Sequence, residues 1–159
     1  MAEAIVVVAV VSSIVQLVDF TSKVIARLND IQSGTKDIPK SLEYLNAELP
    51  VLLHTLQQIL DAIKADRFPS KCAMALQPAV DGCKASIQDI ESILSKTLPN
   101  QGDGKAKNFI KAVGSVWNEG KIERITATIH HCIATLTLYF AASASIEHRE
   151  KSKQLTRGE

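Results

Sequence analysis

The sequence predicts an all-α protein, an antiparallel four-helix bundle with kinks in its later helices. Four long segments carry apolar residues at three- and four-residue spacing, and stretches rich in turn formers separate them. No run alternates polar and apolar residues as a strand would. At 159 residues the chain is the size of one domain and long enough to bury a sizeable core.

The first segment opens with "AIVVVAVVSSIVQLV", residues 4–18, which carries no charge. No Lys or Arg precedes it and no small-residue cleavage site follows, so it does not fit a secretory signal. An uncharged helix of this length covers about 22 Å, short of a hydrocarbon core of about 30 Å. Extending it draws in Asp19, at about 2.5–3.5 kcal/mol for a charge at a helix centre. Beyond residue 11 the segment becomes two-sided. Val7, Val11, Ile14, Val18, Thr21, Ile25 and Leu28 recur at helical spacing, and Ser12, Gln16, Asp19, Lys23, Arg27 and Asp30 form a polar stripe. The expected helix runs from Ala2 to Ile31 and stops at Ser33–Gly34.

In the second segment Ile38, Leu42, Leu45, Leu49, Leu52, Leu56, Ile59 and Ile63 follow a 4-3-4-3 rhythm. Asp37 is the expected cap, with Pro39 in the first turn and Pro50 kinking the interior. The third segment runs from Ser70 to Lys96, with Cys72, Leu76, Val80, Cys83, Ile87, Ile90 and Leu94 on one side. "TLPNQGDGK", residues 97–105, reads as an exposed loop. The fourth segment, from Ala106 to about Ala144, carries Phe109, Val113 and Val116, then Ile122, Ile125, Ile129, Cys132, Leu136 and Tyr139, with a bend at Asn118–Gly120. From Glu147 the charged stretch "EHREKSKQLTRGE" lacks an apolar face and reads as a linker. The expected division is therefore a helical bundle over 1–145 and a charged tail over 146–159.

A net charge of +1 and an aromatic content of 4% argue against nucleic acid as a partner. Cys72, Cys83 and Cys132 lack CxxC spacing and read as small buried hydrophobes in a reducing compartment. His130–His131–Cys132 is the best metal candidate. Neighbours on a helix point about 100° apart, however, so the histidines cannot chelate together, and no HExxH spacing rescues them. Cys83 with His54 or His130 would be the one nucleophile pair, and nothing in the sequence unites them. The reading is of a non-enzyme without a cofactor or metal. A run of Lys105, Lys107, Lys111, Lys121 and Arg124 is a candidate patch for anionic lipid headgroups, at about 1 kcal/mol per residue near the surface. Trp117 beside it reads as a packing residue.

"AEAI", "QLVDF" (16–20), "RLND" (27–30), "IPKSL" (38–42), "ELPVLLHTL" (48–56), "PAVDGCKASIQDIESILSKTLP" (78–99) and "KIERITATIHHCIATLTLYFAA" (121–142) carry a resemblance in their order and spacing. Over about residues 2–145 the chain resembles the N-terminal domain of fungal NACHT and related P-loop NTPases, the SesA-type member of the HeLo-like group. The resemblance implies a helical cell-death effector at the head of a fungal NOD-like receptor, with an NTPase downstream and no catalytic residues. Such bundles are similar to those that disrupt membranes after oligomerising. The chain departs from full receptors in carrying no NTPase, and the tail from Glu147 fits a linker towards one.

The element singled out is the first helix, through Ile5, Val6, Val7, Val8, Val10, Val11 and Ile14. Two turns that are apolar all round offer more surface than one bundle contact uses. The implied action is self-association, or association with other helical domains, followed by contact with anionic membrane lipid. The implied location is the cytoplasm, and the plasma membrane on activation. The alternative is a soluble adaptor bundle that never meets lipid.

Overall fold

A single buried seam organises the first helix, α1 (Ala2–Gly34). Val10, Ile14, Leu17, Thr21, Val24, Leu28 and Ile31 are all buried, at alternating intervals of four and three residues. That 3.5-residue rhythm keeps one face towards its partners over the whole helix. The expected seam shares Ile14, Thr21 and Leu28, but Val7, Val11, Val18 and Ile25 are half-buried flanks. In a valine-rich run several neighbouring stripes are equally apolar, and only packing selects among them.

The computed structural model describes residues 2–34, 39–97 and 119–158, with the side chains of 4–33, 39–94 and 120–158. Among them are three further helices: α2 (Lys40–Lys64), α3 (Ser70–Thr97) and α4 (Glu119–Arg157). No strand occurs among the described residues. The seams of α2 and α3 are as expected, from Leu42 to Ile59 and from Leu76 to Leu94, while Cys72 is half-buried. On α4, Ile122, Ile125, Ile129, Cys132 and Leu136 are buried. Thr35–Ile38 and the 98–118 stretch lie outside the described residues, and with them Asp37, Ile38, most of the expected loop, Phe109, Val113, Val116 and Trp117.

Each helix packs on two others, α1 on α2 and α3, and α4 on α2 and α3. Side-chain bonds give the directions. Asn46 near the start of α2 donates to Gln32 near the end of α1 at 2.8 Å, so these two are antiparallel. Gln77 donates to Ser13, and Lys84 to Gln16, so α1 and α3 run parallel. Glu48 stands 3.4 Å from His130, and further along, Asp66 and Arg67 just past α2 share a cleft with Glu147 and Glu150 of α4, so α2 and α4 are also parallel. Direction alternates along the chain, as expected. The α2–α3 link crosses the diagonal, however, so like-directed helices become neighbours.

That link is tightly built. The amide of Asp66 donates to Ile63 at 3.1 Å and that of Arg67 to Ala62 at 2.9 Å, the bonding pattern of a Schellman cap. Asp66 takes φ 55°, the left-handed conformation that aspartate tolerates better than most residues. At the other end of α2 the cap is Pro39, not Asp37. Its carbonyl accepts the Leu42 amide at 3.0 Å, and no side-chain cap bond is made.

Pro50 and Pro78 sit inside continuous helices with their rings exposed, so the carbonyls they leave free are on the solvent side. The largest departure from expectation is α4, which continues to Arg157 where an end near Ala144 was expected. Residues 148–158 are exposed throughout, so this last part extends past the core as a helix without burying a face.

Candidate functional site

The structure divides the seven residues singled out on α1 into three groups. Val10 and Ile14 are sealed in the seam, and Val6, Val7 and Val11 are half-buried flanks. Ile5 and Val8 stand open, 69% and 68% exposed. The seam begins at Val10, so the turns before it reach the end of the bundle with fewer neighbours. Below Gln16 the open stripe continues through Val15, which is 46% exposed.

Helix directions show what shares that end. The Ser13–Gln77 bond sets Val8 level with the first turns of α3, where Met74 is exposed. A cleft joins Asp66, Arg67 and Phe68 of the α2–α3 link to Ile146, Glu147 and Glu150 of α4. Exposed Leu138 and Ile146 therefore belong to the same end as Ile5 and Val8. Exposed cations are gathered there too: Lys64, Arg67, Lys71, Arg149, Lys151 and Lys153, interspersed with Asp61, Asp66, Glu147 and Glu150. The Lys151 ammonium, 2.7 Å from Glu147, holds that carboxyl below its usual range.

The lysine run expected to meet headgroups falls only in part within the described residues. Lys105, Lys107 and Lys111 lie outside the described residues. Lys121 and Arg124 are exposed on the first turns of α4, at the opposite end of the bundle from Ile5 and Val8. The lengths of the intervening helices put roughly 30 Å between the two places. Arg124 also folds back on its own helix, its Nε donating to the Gly120 carbonyl at 3.2 Å. The structure thus does not join these two cations to the α1 turns. Alternation of helix direction already implied the separation, and it also pointed to the missed residues at the ends of α2 and α4.

The remaining candidates for chemistry are dispersed. His130 is exposed and its Nδ1 stands 3.4 Å from a Glu48 oxygen, while Cys83 is buried against Cys132. Among the described residues no three His, Cys, Asp or Glu side chains gather as a metal site would require. A shallow, largely apolar groove of about 350 Å³ lies between α2 and α4, lined by Tyr44, Glu48, Glu123 and His130 among others.

Two helices, over Ala4–Ser33 and Gly120–Arg157, are long and apolar enough to cross a membrane by length and composition. The length argument against a span therefore holds for the uncharged stretch and not for the helix that contains it. Core helices of soluble bundles pass the same test, and the seam of α1 is one such face.

The family model described as SesA, the N-terminal domain on NACHT NTPases and P-loop NTPases, matches residues 11–136. The chain belongs to the SesA family. No curated protein and no solved structure matches it. The SesA match is narrower than the 2–145 expected from the quoted motifs. It begins at Val11 and ends at Leu136, the last fully buried residue of α4 in the hydrophobic core. What the SesA family shares here is the packed bundle. Ile5 and Val8 precede the matched span, and Leu138 and the α4 extension follow it.

Proposed function

We propose that this SesA domain is the cell-death effector of a NACHT-type receptor, clustering in the cytoplasm and pressing the open start of α1 into the plasma membrane. The observation that carries the reading is the exposure of Ile5 and Val8, 69% and 68%, on a helix otherwise seated along one seam. Cations around the same end suit an anionic surface.

Magnitudes decide how the contact is made. Transferring two such side chains to lipid is worth about 3–6 kcal/mol per copy, at roughly 1.5–3 kcal/mol each. That is comparable to a single acyl chain, which anchors a protein only marginally and reversibly. Extracting α1 entirely would expose its six apolar seam residues, a cost of about 9–18 kcal/mol by the same measure. A monomer therefore keeps α1 docked and touches lipid weakly. Clustering adds the small contributions of many copies through effective concentration.

The test is dye release from anionic vesicles by chemically crosslinked oligomers of the whole chain. Wild-type oligomers should release dye, and Val8→Asp oligomers of equal size should not. Stable oligomers that neither release dye nor float with vesicles would return the domain to a soluble adaptor. Equal release by Val8→Asp would remove α1 from the mechanism.

A further inference from the structure

Two thiols in the core are placed for chemistry that the membrane reading does not use. Cys83 of α3 and Cys132 of α4 are 1% and 4% exposed, and the two helices pack antiparallel. Cys132 Sγ donates to the carbonyl of Ala79 at 3.4 Å. Ala79 lies one turn before Cys83 on the same face of α3, so the Cys132 sulfur is held against the stretch of helix that carries Cys83. Cys83, buried on that face, is the group with which Cys132 interacts most strongly. Both cysteines are free, and Cys72 stands apart, half-buried near the start of α3.

We propose that Cys83 and Cys132 are a peroxide-sensitive dithiol that oxidises to a disulfide fastening α3 to α4. Interaction with Cys132, and then burial, keep the Cys83 thiol protonated, well above the usual range, while the same interaction draws Cys132 down against its burial. Cys132, the less enclosed of the two at 4% exposed against 1%, is the sulfur that meets the oxidant first. Its thiolate cleaves the O–O bond of a hydroperoxide, becoming a sulfenic acid and releasing an alcohol, or water from hydrogen peroxide. Cys83 sulfur then displaces the sulfenic hydroxyl, which leaves as water with the Cys83 proton. Two thiols lose two hydrogens and one peroxide is reduced. Local opening of the helix pair admits the oxidant. Because the bridge spans α3 and α4 and leaves α1 untethered, it tightens the bundle without holding the helix assigned to membrane contact.

The experiment treats the folded chain, as Cys72→Ser, with hydrogen peroxide at neutral pH and digests it with trypsin without reductant. The expected product joins the peptide bounded by Lys71 and Lys84 to the one bounded by Arg124 and Arg149. The intact mass should fall by two hydrogens, and the thermal midpoint should rise until reductant is added. In the wild-type chain, cyanogen bromide cleavage at Met74 separates Cys72 from Cys83 and should leave Cys132 linked to Cys83. The bridge should form at least tenfold faster in the folded chain than in guanidinium. Equal rates, linkage of Cys132 to Cys72, or sulfinic acids without a bridge would each overturn the proposal. None of these readouts involves a membrane, so its failure would leave the reading of α1 untouched.

Discussion

Along α1 the buried seam keeps one rhythm from Val10 to Ile31, but the residues off the seam change character at Gln16. Before it they are Ala4, Ile5, Val6, Val7, Val8, Ala9, Val11, Ser12, Ser13 and Val15. After it they are Val18, Asp19, Phe20, Ser22, Lys23, Ile25, Ala26, Arg27, Asn29, Asp30, Gln32 and Ser33. The second half keeps Val18, Phe20 and Ile25 half-buried and is polar at every open position but Ala26, with Asp19 and Lys23 paired at 2.8 Å. The first half spends apolar residues on solvent. Packing alone does not ask for Ile5, Val8 and Val15, because the second half surrounds the same seam with open positions that are polar but for Ala26. A helix whose two halves fold by the same contacts and differ only outside them carries its surplus for something beyond folding.

The strongest way to break this comparison is to disturb the seam itself. Leu17→Ala removes a fully buried side chain and should cost about 2–5 kcal/mol, read by urea unfolding. Val8→Asp lies on the open stripe and should change stability by less than about 0.5 kcal/mol while removing dye release. If the two variants destabilise equally, the start of α1 is as enclosed as its seam and the distinction between its halves fails.

Thr21 sharpens the same comparison, because it is the polar member of an otherwise apolar seam. Its hydroxyl is buried and without a hydrogen-bond partner, and the residue is 0% exposed. An orphaned hydroxyl of this kind costs about 1–3 kcal/mol relative to a satisfied one. Thr21→Val keeps the shape and should raise stability by about 1 kcal/mol, seen as a higher urea midpoint at unchanged slope. Because α1 stays docked while Ile5 and Val8 meet lipid, dye release by Thr21→Val oligomers should equal that of the wild type.

These residues also show how far the sequence could be read. The helices and the seams of α2 and α3 were legible, since leucine and isoleucine at a 4-3 rhythm stand out against polar neighbours. The seam of α1 was not, because Val7, Val10 and Val11 are chemically alike and only the positions of α2 and α3 choose between them. The α4 extension was hidden for the opposite reason. It has no apolar face to mark it, and its helix is supported by local terms such as the Glu147–Lys151 pair, four residues apart in the favourable order. The candidate site was half legible: the sequence singled out Ile5 and Val8, but the headgroup patch it offered separately includes Lys121 and Arg124, which the topology sets at the far end.

The smallest expected effect comes from titration, and it too separates the halves. Residues 4–15 carry no titratable side chain, whereas the second half holds Asp19 and Lys23. The carboxylate of Asp19, by hydrogen bond and then by charge, raises the Lys23 ammonium above its ordinary 10.5. A raised lysine stabilises the folded state fully below the unfolded value, and that contribution is lost as pH rises through the folded one. Because both side chains are exposed, the loss should be small and screened by salt. NMR of the Lys23 side chain should therefore give a titration midpoint above 10.5, returning to it in Asp19→Asn. Ile5 and Val8 methyl signals should follow the same course with pH in the wild-type chain and in Asp19→Asn, because the charged groups at their end of the bundle are different ones, Lys64, Lys71 and Glu147 among them. A response of those methyls to Asp19→Asn would mean that the two halves of α1 respond as one unit, and the first could not then be treated as a separable contact surface.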